Sequence, residues 1–259
     1  SHNPPNYNGF KMLLKNKGIF GKDILDIAKI SSRGDFCGNK RGKVNKISMI
    51  DKYLFFLANV ANVKKNIKVA WDPGNGSSGE IISRLTKKLN GKHYLINEKI
   101  DGNFPAHHPD PTVPKNLKQL INLVKKKKCD FGLAFDGDGD RLGVVDNKGK
   151  IIYADKVVAF LAKDVLLEKP NSKIIIDIKS SQIVFNEIKK LKGKPFFWKT
   201  GHSLIKEKMK KTKAIFAGEM RGHIFFAGKY YGFDDAIYAS IRFLNLFCDF
   251  NKSLSKIFS

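Results

Sequence analysis

Cysteine is scarce in this chain of 259 residues, and acid is scarcer than base. The three cysteines, Cys37, Cys129 and Cys248, are odd in number and far apart, and no C-x-x-C pair occurs. That excludes a disulfide framework and a cysteine zinc site, and it fits a reduced, cytoplasmic setting. No apolar run approaches the ~20 residues that span a bilayer, so no membrane partner is expected. No secretory signal pattern is visible. Acidic residues number 24 against 48 lysines and arginines, a formal net charge of +24. That excess admits a nucleic-acid surface as one reading. The lysines, however, are spread over every predicted helix, and no aromatic-basic repeat or nucleic-acid motif accompanies them. The composition reads instead as a lysine-rich bias that suits an anionic substrate, with no nucleic-acid partner. Apolar residues are plentiful, at 42% with 11% aromatic, enough to build cores over about two domains.

Three of the scarce carboxylates fall in one stretch, FDGDGDRLGVVD, from Phe135 to Asp146. Asp136, Asp138 and Asp140 alternate with Gly137 and Gly139, and Arg141 follows at once. Apolar runs flank them, FGLAF (131–135) and LGVV (142–145). The pattern predicts a strand, a tight acidic loop and a second strand. The glycines let the backbone fold so that three side chains converge. Three hard oxygen donors suit magnesium or calcium, and three packed carboxylates repel one another without a cation. A plain hairpin turn is the simplest alternative. An EF-hand requires glycine at its sixth position and glutamate at its twelfth. Those positions hold Arg141 and Asn147. A haloacid-dehalogenase-type site with Asp136 as nucleophile requires further phosphatase motifs, which are not found downstream. What remains is a magnesium site beside a cation, fitted to phosphate chemistry.

The chain opens SHNPPNYNGFK, where Ser1, His2 and Lys11 read either as a nucleophile with polar helpers or as a tail. From Gly18 to Ile50 it is basic and glycine-rich with little periodicity. A helix is predicted over 50–63. Strands at 67–72, 93–97 and 131–135 then alternate with helices at 80–89 and 116–128, which makes an α/β unit with a mostly parallel sheet. A hairpin near Asn147 leads into a second unit. Its strands lie at 173–178, 195–199 and 214–219, and its helices near 155–168, 181–191, 203–211 and 234–248. The strand ends of the second unit carry Lys179, then Thr200-Gly-His202, then Glu219 with His223. Ligands of such sheets gather at the carboxyl ends of strands.

SHNPPNYNGFK, DPGNG, DGNFPAHHPDP, AFDGDGDRLGVVD, WKTGHSLIK, GEMRGH and YGFDDAIY, in that order over essentially the whole chain, resemble the α-D-phosphohexomutases, in particular the bacterial phosphomannomutase/phosphoglucomutase group. The resemblance implies consecutive α/β domains with mixed, mostly parallel sheets. Expected bounds are 1–50 for a remnant of a first domain, 51–150 for a second with the metal loop, and 151–259 for a third with the sugar loop. The family's N-terminal strands and C-terminal domain are expected to be missing. It implies a phosphoserine at Ser1 that donates and reaccepts the phosphoryl group, and one magnesium ion on Ser1, Asp136, Asp138 and Asp140. It implies catalytic help from His2, Lys11, Arg141 and His223. Substrate contacts would come from Lys179, His202 and the loop Glu219, Met220, Arg221, Gly222 and His223. The implied reaction is an isomerisation that moves phosphate between the 1- and 6-positions of mannose or glucose, through a glucose or mannose 1,6-bisphosphate. The partner is a phosphorylated hexose, and a monomer is expected. A folded fragment that binds metal without turnover is the alternative. Arg221 departs from the family pattern, which has serine between the methionine and the glycine.

Overall fold

The computed structural model describes residues 6, 7, 9, 10, 12–15, 17–36, 38 and 42–259. The expectations placed on Ser1, His2 and Lys11 lie outside these described residues. Strands β1 (Met12–Leu14) and β2 (Lys17–Ile19) form a small antiparallel hairpin. Helix α1 (Lys22–Arg33) follows and stops at Gly34, which takes the left-handed conformation at φ 71°. This helix corrects the expectation of an irregular stretch between Gly18 and Ile50. Ile24, Ile27 and Ile30 stand at three-residue spacing, but no residue of α1 is buried. The lysines, serines and glycines around them obscure the stripe.

The first α/β unit comprises α2 (Ile50–Val60), β3 (Lys68–Asp72), α3 (Gly79–Thr86), β4 (Lys92–Leu95), a 3-10 turn (Pro114–Leu117), α4 (Lys118–Lys127), β5 (Phe131–Phe135), β6 (Leu142–Asp146) and β7 (Ile151–Ile152). Its sheet runs β4-β3-β5-β6-β7. The first three strands are parallel, and β6 and β7 return antiparallel. The second unit comprises α5 (Ala154–Glu168), β8 (Lys173–Asp177), α6 (Gln182–Lys190), β9 (Lys194–Trp198), α7 (His202–Thr212), β10 (Phe216–Gly218), β11 (Ile224–Phe226), α8 (Ala236–Cys248) and α9 (Leu254–Ile257). Its sheet runs β11-β10-β8-β9, with β11 the antiparallel member. The chain is thus α/β with mixed sheets. β11 is an element the sequence pattern does not announce, because its three apolar residues follow a turn that reads as loop.

Period-two alternation sends neighbouring strand residues into different cores. Val69, Trp71, Phe131, Leu133, Phe135 and Val144 of the first sheet share one core with Ile174, Ile176, Phe216 and Ile224 of the second. Ala70, Ala134 and Val145 face the opposite way, onto Leu120 and Val124 of α4. Ile175, Ala217 and Phe225 likewise face Ile205 and Met209 of α7. The shared core therefore lies between the two sheets. Helix α8 fills much of it and buries nearly every side chain, as a helix apolar on all sides must. Phe131 of β5 meets Phe243 and Phe247 of α8 edge-on at centroid distances of 5.3 and 5.0 Å. Each such ring contributes about 1.5–3 kcal/mol by burial. This packing fixes the carboxyl edges of both sheets against each other.

Candidate active site

Antiparallel β5 and β6 meet at the acidic loop, and the loop is held from several directions. Asp136 is fully buried. Its Oδ1 accepts the backbone N–H of Asp140 (3.0 Å) and Arg141 (3.1 Å), and its Oδ2 accepts Nε–H of Arg141 at 2.7 Å. Arg141 Nη1 donates onward to Asp110 Oδ1 at 3.2 Å. The carbonyl of Gly137 accepts from Ser77 N–H (2.9 Å), and that of Gly139 from Ala236 N–H (3.1 Å). Ala236 opens α8 and Ser77 lies just before α3, so two helix N-termini approach a loop that carries negative charge, the favourable end of each helix dipole. Close approach dictates the glycine at 76. A Cβ there would lie 2.8 Å from the carbonyl oxygen of Gly137.

The turn between β10 and β11 docks on the same loop. Gly222 N–H closes it onto the carbonyl of Glu219 at 3.0 Å, and the Gly222 carbonyl accepts from Leu142 N–H at 3.0 Å. Arg141 and His223 face each other as an antiparallel bridge. Gly222 has φ 93°, and a Cβ there would lie 2.8 Å from Leu142 O, so no other residue fits without strain. The bridge places the His223 ring between two carboxylates. Nδ1 stands 2.7 Å from Glu219 Oε2, and Nε2 stands 3.3 Å from Asp140 Oδ1.

Burial works against a charged ring here, but the hydrogen bonds to Asp140 and Glu219 prevail and push His223 up to about 9. Asp136 is also displaced. Burial first, and then the charge of Asp140, push its carboxyl up to about 6 against the pull of Arg141. Asp136, Asp138 and Asp140 bring carboxylate oxygens within 4.8 Å of one another. Asp140, His223 and Asp234 form a second such group that shares Asp140. Crowded carboxylate oxygens are a fitting donor set for a hard divalent cation.

The expected contacts divide over this geometry. Glu219 is buried, with Oε1 on the N–H of Gly201 at 2.5 Å and Oε2 on His223. His202 opens α7 and stacks on His223 at 5.9 Å between ring centroids. Met220 is half-buried, and Lys179 and Arg221 are exposed. An open cleft of about 770 Å³ borders the acidic loop, walled by Tyr53, Ser78, Asp138, Asp140, Tyr230 and Asp234 among others. Lys179, Glu219 and Arg221 do not line it. Asp110 lies in DGNFPAHHPDP, and nothing in the sequence marks its bond to Arg141. Asp234, legible in the sequence only as the start of a helix, accepts from Lys206 Nζ at 3.1 Å and stands 3.4 Å from His202. A carboxylate inside a motif that is otherwise read as a loop gives no signal until its partner is seen.

The 98–114 loop that carries Asp110 is itself anchored. His107 Nε2 lies 2.9 Å from Oδ2 of the fully buried Asp72, and Nδ1 lies 3.0 Å from the carbonyl of His108. Both ring nitrogens thus face acceptors, which only the doubly protonated ring satisfies. The bond to Asp72 is the main reason its pKa is raised, and burial opposes it. A raised histidine pKa stabilises the fold fully below the unfolded value of ~6.5, and that contribution disappears as pH rises through the folded value. The expected result is that His107→Gln loses most stability near pH 6 and progressively less as pH rises from there to the folded pKa. Urea midpoints of both proteins at several pH values check it. A difference independent of pH would contradict it.

Family models describing the phosphoglucomutase/phosphomannomutase alpha/beta/alpha domains II and III match residues 51–149 and 153–259. The chain is 42% identical over 259 residues to phosphomannomutase/phosphoglucomutase of Pseudomonas aeruginosa, covering 100% of this chain and 56% of that protein. It is 43% identical over 247 residues to phosphoglucomutase of Neisseria gonorrhoeae, covering 95% of this chain and 54% of that protein. A crystal structure of a phosphoglucomutase/phosphomannomutase family protein from Burkholderia thailandensis superposes with a TM-score of 0.94 at 39% identity, covering 99% of this chain and 56% of that one. The chain thus spans a little over half the length of these relatives. Two domain types matched in consecutive order, on a backbone that superposes so closely, make this chain a member of the phosphoglucomutase/phosphomannomutase family, the α-D-phosphohexomutases.

Proposed function

We propose that the protein acts in the reversible transfer of a phosphoryl group between the 1- and 6-positions of mannose or glucose phosphate. In this reading Ser1 carries the phosphoryl group as a phosphoserine, and a hexose 1,6-bisphosphate is the intermediate. The observation that carries it is the docking of the Glu219–His223 turn on the acidic loop, with His223 3.3 Å from Asp140. A group able to exchange a proton with a sugar hydroxyl and a group able to hold the charge of a phosphate are then neighbours. Asp136, Asp138 and Asp140 would hold magnesium, which supplies neutralisation of phosphate charge when bound. Arg141 adds a fixed positive charge beside them, already oriented by Asp136 and Asp110. Ser1, His2 and Lys11 would complete the phosphate side.

His223 needs one further condition. With its pKa at about 9 the ring is protonated near neutrality, so it stands ready to give a proton rather than to take one. Once Asp140 is engaged by a cation, one of the two carboxylates that hold that proton is withdrawn, and the ring's proton affinity falls toward the working range. Lys179, His202, Met220, Arg221 and Gly222 would then read the sugar and its phosphate around Glu219. A soluble, cytoplasmic enzyme is part of the same reading. Among the described residues no helix is long and apolar enough to cross a membrane.

A coupled mutase assay tests the reading. Glucose 1-phosphate and mannose 1-phosphate are supplied with magnesium and a catalytic amount of glucose 1,6-bisphosphate. Formation of the 6-phosphate is expected. Folded, magnesium-binding protein that turns over neither sugar would overturn it in favour of a metal-binding fragment.

A further inference from the structure

The carboxylate at the end of an inner strand of the second sheet ties together the three loops that carry the proposed sugar contacts. Asp177 ends β8, which lies between β9 and β10. Its neighbours at the sheet edge are therefore the loop after β9 on one side and the turn after β10 on the other, while its own strand runs on into a third loop. Asp177 has no solvent exposure. Its Oδ1 accepts the N–H of Lys179 at 3.1 Å and the hydroxyl of Thr200 at 2.6 Å. Its Oδ2 accepts the N–H of Met220 at 3.3 Å. The Glu219 Oε1 bond to Gly201 N–H, at 2.5 Å, joins the second and third loops directly. The three loops thus form a triangle with Asp177 near its centre. Each corner carries a candidate contact: Lys179, His202, and Glu219 with Arg221.

We infer that Asp177 is a positioning residue that makes these three loops a single substrate-binding unit, an inference that rests on the mutase reading for its kinetic consequence but not for the coupling itself. A buried carboxylate that accepts three hydrogen bonds is expensive to leave half-satisfied. The loops are therefore ordered together or loosened together. A phosphorylated sugar that touched Lys179 alone would find His202 and the 219–223 turn already placed.

Two variants separate the parts of this arrangement. Asp177→Asn keeps an acceptor for Lys179 and Thr200 but puts an amide donor against the N–H of Met220, so the turn is released. Thr200→Val keeps the shape and removes one donor, and it is the milder change should the first disturb folding. Hydrogen exchange on the full chain reads the coupling. In Asp177→Asn the amides of Lys179, Gly201 and Met220 are expected to exchange faster together, by roughly tenfold or more, while those of α8 stay protected. Thr200→Val is expected to loosen residues 199–202 and 178–180 more than the 219–222 turn. Unchanged exchange in the three loops of either folded variant, or faster exchange in one corner only in Asp177→Asn, would overturn the inference. Kinetics then separate positioning from mere stability. Thr200→Val is expected to raise KM for the hexose phosphate about tenfold with kcat nearly kept, the mark of lost ground-state binding. Asp177→Asn is expected also to lower kcat, because the released turn carries His223. A lowered Tm with KM and kcat unchanged would sink the positioning role. Should the wild-type protein turn over no hexose phosphate, the mutase reading fails, and the exchange measurement still decides the coupling.

Discussion

Among the described residues, replacing Asp140 with asparagine is expected to be the most damaging single change to activity, on the order of 10²–10³-fold in turnover, the scale on which one electrostatic group at a reacting centre counts. Two effects coincide at this side chain. Asp140 supplies an oxygen to the acidic cluster, and it faces His223 Nε2 at 3.3 Å. Asp140→Asn therefore weakens magnesium binding and also lowers the His223 pKa from about 9, because it removes a carboxylate that favours the imidazolium. The paired variant Glu219→Gln removes the other carboxylate, 2.7 Å from Nδ1, and leaves the acidic cluster intact. It is expected to lower the same pKa with magnesium affinity preserved. Titration of the His223 ring by NMR, with calorimetry of magnesium binding, distinguishes the two. Equal magnesium affinity in wild type and Asp140→Asn would remove Asp140 from the metal site.

The stability consequence has a definite sign. The folded pKa of His223 lies above the unfolded value, so its two bonds stabilise the fold fully below ~6.5, and the contribution is lost as pH rises through about 9. Asp140→Asn should flatten that slope between the two values. Magnesium should flatten it as well in the wild-type protein, since a cation on Asp140 competes with the ring for the same charge.

The sequence disclosed the site in halves. Asp136, Asp138 and Asp140 were legible because alternating glycine and aspartate between two apolar runs has few uses, and the structure brings those three carboxylates together. The edge at Lys179, His202 and Glu219 was legible because each residue follows a strand of a parallel sheet. The contact between the halves was not legible. Arg141 and His223 are far apart in sequence, and the packing of the two sheets on one shared core brings them face to face. The roles of Asp72 and Asp177 are not legible in the sequence for a related reason. Each ends a strand that reads as wholly buried, KVAWD and KIIID, and an aspartate there looks like the first residue of a loop. Its role depends on which strands lie beside it, and strand order is a property of the sheet. Helix α1 shows the opposite failure, a regular element whose apolar stripe finds no cover and so leaves a weak trace.

Arg141→Leu is expected to be the most damaging change to stability, at about 3–5 kcal/mol near neutral pH, the usual cost of breaking a buried ion pair on one side only. Arg141 is almost wholly buried, and it holds the fully buried Asp136 and the partly buried Asp110 at once. The leucine leaves both carboxylates in place without their cation, Asp136 with only its backbone N–H donors and Asp110 with Thr112. Acidity should relieve the damage. Burial and Asp140 already raise Asp136 to about 6, so its charge is a cost that grows from the unfolded value of ~3.9 and levels off above about 6; without Arg141 the folded value is higher and the cost keeps growing to higher pH. Burial acts to raise Asp110 as well, but bonds to Thr112 and then the charge of Arg141 outweigh it and hold its carboxyl below the usual value. That contribution is present above the unfolded value of ~3.9 and is lost as pH falls through the folded one, so Arg141 contributes least to Asp110 in acid. Asp136 therefore predicts a penalty for Arg141→Leu that is smaller at pH 5 than at pH 8, while Asp110, charged at both values, adds the same at each. Urea unfolding of the two proteins at both values measures it. A penalty that is the same at both pH values would mean that the charge of Arg141 does not act through Asp136, and the acidic loop would then owe its shape to the backbone bonds of Ser77, Leu142 and Ala236 and to those that Asp136 Oδ1 accepts from Asp140 and Arg141.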